Sequence, residues 1–224
     1  GGSIQVVKGA GKLSALRSGL EGAHPAGRTG IGHTRWATHG KPTDDNAHPH
    51  CDCTGDVVVI HNGIVENYLE LRAELQAHGH RLRSETDTEV IPHLVEAYAA
   101  EGNDLLAALR RTIARLNGAH ALVVMSAHEP GRIIAARAGN AGGVVVGYGD
   151  GEMFVSSDLS AVLPETQHVA FLADGEIADI TPAGVSYVSF AGEPLDKRPQ
   201  TVPFDPISAA KGAYKHFMLK EIFE

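Results

Sequence analysis

The feature that most narrows the possible folds is a change of hydrophobic period near Asn117-Gly118. Three apolar stripes at helical spacing come before it: Tyr68, Leu71 and Leu75; Val90, Ile91, Leu94, Val95 and Tyr98; and Leu105, Leu106, Leu109, Ile113 and Leu116. Seven short β-rich segments come after it, at 121–125, 133–137, 144–147, 153–156, 168–172, 176–180 and 185–190. Pro130-Gly131, Asp150-Gly151 and Asp174-Gly175 separate several of them and suit tight turns. Helices followed by hairpins specify an α+β domain, with antiparallel sheets packed against helices. A chain of 224 residues can bury roughly 70% of its unfolded surface in one such domain.

The local signals fill in this frame. Val57, Val58, Val59 and Ile60 form a β-branched run without alternation, the pattern of a strand buried on both faces. Gly79 follows the first stripe where a left-handed helix cap is wanted. Thr86 and Glu89 have capping-box spacing before the second stripe, and Asp104 caps the third. Residues 3–8 read as a strand and 12–20 as a short helix with Leu13, Leu16 and Leu20 on one face. Residues 1–190 are therefore expected to form one domain. Residues 191–224, with Pro194, Pro199, Pro203 and Pro206, are expected to be an extended connector leading into a helix that starts near Tyr214.

Charge and composition exclude several function classes. A net charge of -8 gives no basic footprint for nucleic acid or an anionic membrane surface. No apolar run approaches the roughly 20 residues that span a bilayer. Cys51 and Cys53 are too few and too close to make a disulfide framework, which fits a reducing, cytoplasmic setting.

Chemistry concentrates before the period change. His33-Thr34-Arg35-Trp36-Ala37-Thr38-His39-Gly40, then Asn46-Ala47-His48-Pro49-His50, hold the chain's single tryptophan and four histidines in segments with no helix or strand period. This is either a ligand-binding loop or a polar loop whose tryptophan caps the core. Asn62-Gly63 is either a type I′ hairpin turn or, at the end of a buried strand, a pair of donors for a developing oxyanion. Asp87 could simply complement a helix dipole. With Arg35 it could also hold both ends of an amino acid, the guanidinium on the α-carboxylate and the carboxylate on the α-ammonium. Such a clamp beside an oxyanion hole points to cleavage of a side-chain amide, as in glutamine or asparagine. The run His48-Pro49-His50-Cys51-Asp52-Cys53 suggests a metal site, but zinc ligands usually come in two clusters and only one is visible, so neither metal nor cofactor is expected.

These motifs, with Val59-Ile60-His61-Asn62-Gly63-Ile64-Val65-Glu66-Asn67 and Ser84-Glu85-Thr86-Asp87-Thr88-Glu89-Val90, resemble in sequence and order the glutaminase domain of the glucosamine-6-phosphate synthases, glutamine:fructose-6-phosphate aminotransferases (isomerizing). The resemblance implies an N-terminal nucleophile hydrolase fold of the class II glutamine amidotransferases, an αββα sandwich. It implies that ammonia from glutamine passes to a C-terminal domain that acts on fructose 6-phosphate, in a protein that is a homodimer at full length. Arg35 then resembles the carboxylate anchor and Asp87 the ammonium partner. Trp36 to His39 fall on a loop closing over glutamine, Thr38 and His39 touch substrate, Asn62 and Gly63 form the oxyanion hole, and His48 lies near the site. The family's nucleophile is an N-terminal cysteine whose free amine is the base, whereas residue 1 here is glycine. The expectation is that the domain's opening segment is missing, that residues 3–7 continue one of its strands, and that the chain as given is inactive.

Overall fold

The computed structural model describes residues 2–20, 26–37 and 39–202. Among these residues eleven strands form two antiparallel sheets. The larger has seven strands in the order β1 (His50–Cys51), β2 (Val57–Gly63), β3 (His120–Ser126), β4 (Ile133–Ala138), β8 (Glu176–Thr181), β9 (Gly184–Ser189) and β10 (Pro194–Leu195). The smaller has the order β11 (Gln200–Thr201), β7 (His168–Phe171), β5 (Val145–Tyr148) and β6 (Met153–Ser156).

Period-2 alternation sorts the side chains of the large sheet into two cores. Val57 and Val59 of β2, Leu122 and Val124 of β3, Ile134 and Ala136 of β4, and Ile177 of β8 face three helices: α2 (Tyr68–Ala77), α3 (Val90–Ala100) and α4 (Leu105–Ile113). The helices answer with Leu71, Leu75, Ile91, Leu94, Val95, Leu105 and Leu109, all buried. On the opposite face Ala121, Ala135, Ala178 and Ile180 meet Val146 and Ala170 of the small sheet and the flanking Val144 and Leu172. Small alanines on one sheet opposite branched residues on the other let the two sheets approach closely. The result is a two-sheet sandwich of the kind the resemblance implies, with a helical layer on the large sheet. The outer face of the small sheet carries a single 3-10 turn, Leu159–Ala161, over Val145 and Val169.

Most expected elements form within a residue or two of their expected bounds, and Gly79 adopts φ 91° past α2. Four readings need correction. Residues 3–8 form no strand, and they line a cavity of about 680 Å³ with Val58 and Met125. Helix α1 (Leu13–Leu20) forms but buries nothing, and Leu13 is largely exposed. Helix α4 stops at Ile113, three residues before Leu116.

The fourth correction concerns the expected capping box. Thr86 Oγ1 contacts Ser84 Oγ at 2.9 Å and His50 Nε2 at 3.1 Å, and Glu89 accepts from the Arg83 and Ser84 backbone N–H groups, each at 2.7 Å. The capping groups instead fold the 83–89 loop back on itself. The proline-rich stretch beyond 190 supplies the edge strands β10 and β11, which pair with β9 and β7. The expected helix from Tyr214 lies outside the described residues. Among the described residues no helix is long and apolar enough to cross a membrane.

Candidate active site

Three elements converge at the end of β2. The strand brings Asn62 and Gly63, the loop before β1 brings His33, Arg35, Trp36, His39 and His48, and the loop before α3 brings Thr86, Asp87 and Thr88. These residues and His61 line one cavity of about 190 Å³. Asn62-Gly63 is not a hairpin turn. Both residues remain in the β2–β3 ladder, opposite Ala121 and His120. Gly63 has φ 130°, and a Cβ there would lie 2.1 Å from the Ala119 carbonyl oxygen. Only glycine fits, and its exposed backbone remains open to a ligand.

Hydrogen bonds fix the orientation of Asn62. The Arg35 backbone N–H donates to His33 Nδ1 at 2.8 Å, so the His33 proton sits on Nε2, which donates to Asn62 Oδ1 at 2.9 Å. With its oxygen engaged, Asn62 keeps its Nδ2 donors for a ligand. Burial, ahead of the opposing hydrogen bond to Asn62, lowers the His33 pKa and favours this neutral ring. Replacing His33 by Phe keeps a ring to stack on His48, 4.2 Å away, but leaves Arg35 N–H and Asn62 Oδ1 unpaired. We expect a loss of about 1–3 kcal/mol in urea denaturation. An unchanged midpoint would show that these bonds do not hold the loop.

Arg35 carries a cost of its own. It is the non-glycine residue with positive φ, 42°, among the described residues, a backbone state worth roughly 1–2 kcal/mol of strain. The geometry wraps the loop around the side chain. Nη2 donates to the His39 carbonyl at 2.6 Å and the Gly40 carbonyl at 3.1 Å, and Nη1 donates to the Lys41 carbonyl at 3.1 Å. Asp87 is 3% exposed. Its Oδ2 accepts from Val65 N–H at 2.8 Å, and its Oδ1 lies 3.8 Å from His39 Nδ1.

Trp36 is 91% exposed and therefore does not cap the core. It stands at the cavity rim on the loop that Arg35 folds. Thr38 lies outside the described residues. His48 stacks on His33, and its Nδ1 accepts from His61 N–H at 3.3 Å.

His50, His61 and His120 were not assigned to the site from the sequence, and His61 lines the cavity itself. His61 Nδ1 contacts Thr88 Oγ1 at 2.9 Å, His61 Nε2 contacts His120 Nδ1 at 3.1 Å, and His50 Nε2 contacts Thr86 Oγ1. Burial, with the proximity of His33, His50 and His61, pushes His48 down to about 2. Burial with Lys8 and Arg35 nearby pushes His50 to about 3, and burial with His120 nearby pushes His61 to about 3. Neutral His61 and His50 thus hold Thr88 and Thr86, the two neighbours of Asp87. The only signal in the sequence was their density.

The sequence profile of the glutamine amidotransferase domain matches residues 12–186. The chain belongs to this glutamine amidotransferase family. This amidotransferase domain is 52% identical over 223 residues to the glutamine–fructose-6-phosphate aminotransferase [isomerizing] of Aquifex aeolicus, an alignment spanning 100% of this chain and 37% of that protein. It is 47% identical over 221 residues to the enzyme of the same name from Methanothermobacter thermautotrophicus, spanning 99% of this chain and 37% of that protein. The chain thus spans little more than a third of these relatives. Among solved structures, the glutamine phosphoribosylpyrophosphate amidotransferase from B. subtilis matches with a TM-score of 0.57 at 24% identity, over 70% of this chain and 34% of that one, a likeness of fold.

Proposed function

We propose that the cavity binds L-glutamine in an extended pose, with Arg35 on the α-carboxylate, Asp87 on the α-ammonium, and the side-chain amide directed at Asn62 and Gly63. The observation that carries this reading is that an arginine, a buried carboxylate and a strand-end Asn-Gly pair line one small cavity. Nδ2 of Asn62 and the Gly63 N–H then receive the oxyanion as a thiolate adds to the amide carbonyl. Such a donor lowers the barrier by roughly 3 kcal/mol. Collapse of the tetrahedral intermediate releases ammonia and leaves a γ-glutamyl thioester, which water hydrolyses to glutamate. His39 and Trp36 close the pocket over the bound amino acid, Thr38 adds a substrate contact, and His48 supports the floor.

Neither cysteine lines the cavity. Cys51 lies in β1, and Cys53 lies in the turn between β1 and β2. We therefore assign the nucleophile to an N-terminal cysteine of the kind the family uses, and these 224 residues to the part that binds and polarises the substrate. In the longer protein the ammonia converts fructose 6-phosphate, bound by a following domain joined through residues 191–224, to glucosamine 6-phosphate in a homodimeric enzyme. The two free thiols suit a cytoplasmic setting.

Calorimetry with L-glutamine tests the clamp. Arg35→Ala and Asp87→Ala are each expected to weaken binding about 30-fold or more, as removal of a charge-assisted contact of about 2 kcal/mol implies. D-glutamine should bind poorly. Equal affinity for wild type and both variants would overturn the assignment, and release of glutamate by this chain would overturn the assignment of the nucleophile.

A further inference from the structure

A second cluster contains none of the residues that line the cavity. Cys53 in the turn between β1 and β2, His80 just after α2, and His93 and Glu96 on consecutive turns of α3 bring four donor atoms within 4.8 Å of one another. Cys53 Sγ lies 3.5 Å from His80 Nδ1 and 3.4 Å from His93 Nδ1. The two Nδ1 atoms are 3.3 Å apart, and Glu96 Oε2 lies 3.0 Å from the first and 3.4 Å from the second.

Five of the six edges of a tetrahedron thus measure 3.0–3.5 Å, and the sixth, Cys53 Sγ to Glu96 Oε2, lies within 4.8 Å. With metal–nitrogen and metal–oxygen bonds of about 2.0–2.1 Å and a metal–sulfur bond of about 2.3 Å, tetrahedral zinc separates its ligand atoms by about 3.3–3.6 Å. We propose that Cys53, His80, His93 and Glu96 form a structural site for a zinc-type divalent cation. A purely hydrogen-bonded cluster that puts the His93 proton on Nδ1, toward Glu96, leaves the buried Nε2 lone pair unpaired and facing the Glu89 carboxylate.

The surroundings fit the same assignment. His93 is 1% exposed, and its Nε2 is buried without a hydrogen-bond partner, 4.0 Å from Glu89 Oε1. A metal on Nδ1 fixes the proton on Nε2, facing that carboxylate, which is the outer-shell arrangement ligating histidines usually have. The Asp52 carboxylate accepts from Gly55 N–H and Thr54 Oγ1 and so holds the turn that presents Cys53. His80 and Glu96 are only partly buried, which leaves a route of entry.

The proposed metal ties together three elements distant in sequence. His80 and His93 bracket residues 81–92, the segment that carries Asp87, so the cation staples both ends of the substrate loop to the β1–β2 turn. Borderline-soft zinc suits one thiolate, two imidazoles and one carboxylate, whereas magnesium and calcium prefer oxygen ligands. Binding deprotonates the Cys53 thiol and releases its proton to solvent.

Titration of the metal-free chain with Co²⁺ and then Zn²⁺ tests the site. The expected result is one equivalent of cobalt with the intense visible bands of tetrahedral coordination and a thiolate charge-transfer band, all erased by zinc. Cys53→Ser should lose the charge-transfer band, Cys53→Ser and His80→Gln should each weaken binding by about tenfold or more, and Cys51→Ser should retain both band and affinity. If a variant does not fold, the wild-type spectrum together with Cys51→Ser still decides whether the sulfur ligand is Cys53. An octahedral spectrum without the thiolate band, no stoichiometric binding, or unchanged affinity in Cys53→Ser and His80→Gln would overturn the proposal. None of these readouts depends on glutamine.

Discussion

Acidification from pH 7 to 5.5 is expected to lower the stability of this domain by on the order of 4 kcal/mol, far more than carboxylate titration alone would cause in that range. The ordinary histidine pKa is 6.5, and the fold holds His48 near 2 and His50 and His61 near 3. Above pH 6.5 these rings are neutral in both folded and unfolded chains, so they contribute no pH dependence. Below 6.5 the unfolded chain takes up protons that the folded chain refuses, and protons therefore favour unfolding. Each ring costs about 1.4 kcal/mol per pH unit until the folded pKa is reached. The window of loss thus runs from 6.5 down to about 3, and its upper part, above about 5, lies clear of most carboxylates.

Urea midpoints at pH 7 and 5.5 provide the measurement. A triple His→Gln variant at the three positions, if folded, should show a flatter profile than wild type. Equal wild-type midpoints at the two pH values would mean that the buried rings are protonated in the fold.

The second large effect is expected at Gly63. Gly63→Ala places a methyl 2.1 Å from the Ala119 carbonyl oxygen and 2.9 Å from His61 Nε2, with the backbone held at φ 130°. The oxygen belongs to the strand-entry backbone opposite β2, so relief requires the β2–β3 ladder to open at its end. A cost of about 3–5 kcal/mol follows from combining overpacking with an unfavourable backbone state. Gly79→Ala is the control. It has φ 91° but no heavy atom within 4 Å of the added Cβ, so it should cost about 1 kcal/mol. Chemical denaturation of the pair separates steric collision from backbone strain, and similar losses for the two would show that collision contributes little.

The amino-acid chain alone specifies the order and type of most elements. The 3.6-residue stripes of Leu71–Leu75 and Leu105–Leu109 and the runs such as 57–60 bury their apolar faces only as helices and strands, so period alone identifies them. It also determined the candidate chemistry at Arg35, Asn62, Gly63 and Asp87, because few residue types can hold a zwitterion or an oxyanion.

Tertiary structure decided what depends on partners remote in sequence. Residues 3–8 have strand composition but pair with no ladder, so propensity had nothing to act on. Trp36 looked equally suited to core or rim, and only the course of the Arg35-folded loop puts it outside. Glu89 has capping-box spacing, yet its carboxylate is drawn to the Arg83 and Ser84 amides because the Asp87 loop needs both ends fixed. The Cys53, His80, His93 and Glu96 cluster was invisible along the chain for the same reason. Its members are separated by up to two elements, and spacing rules detect ligands only when the backbone between them is short.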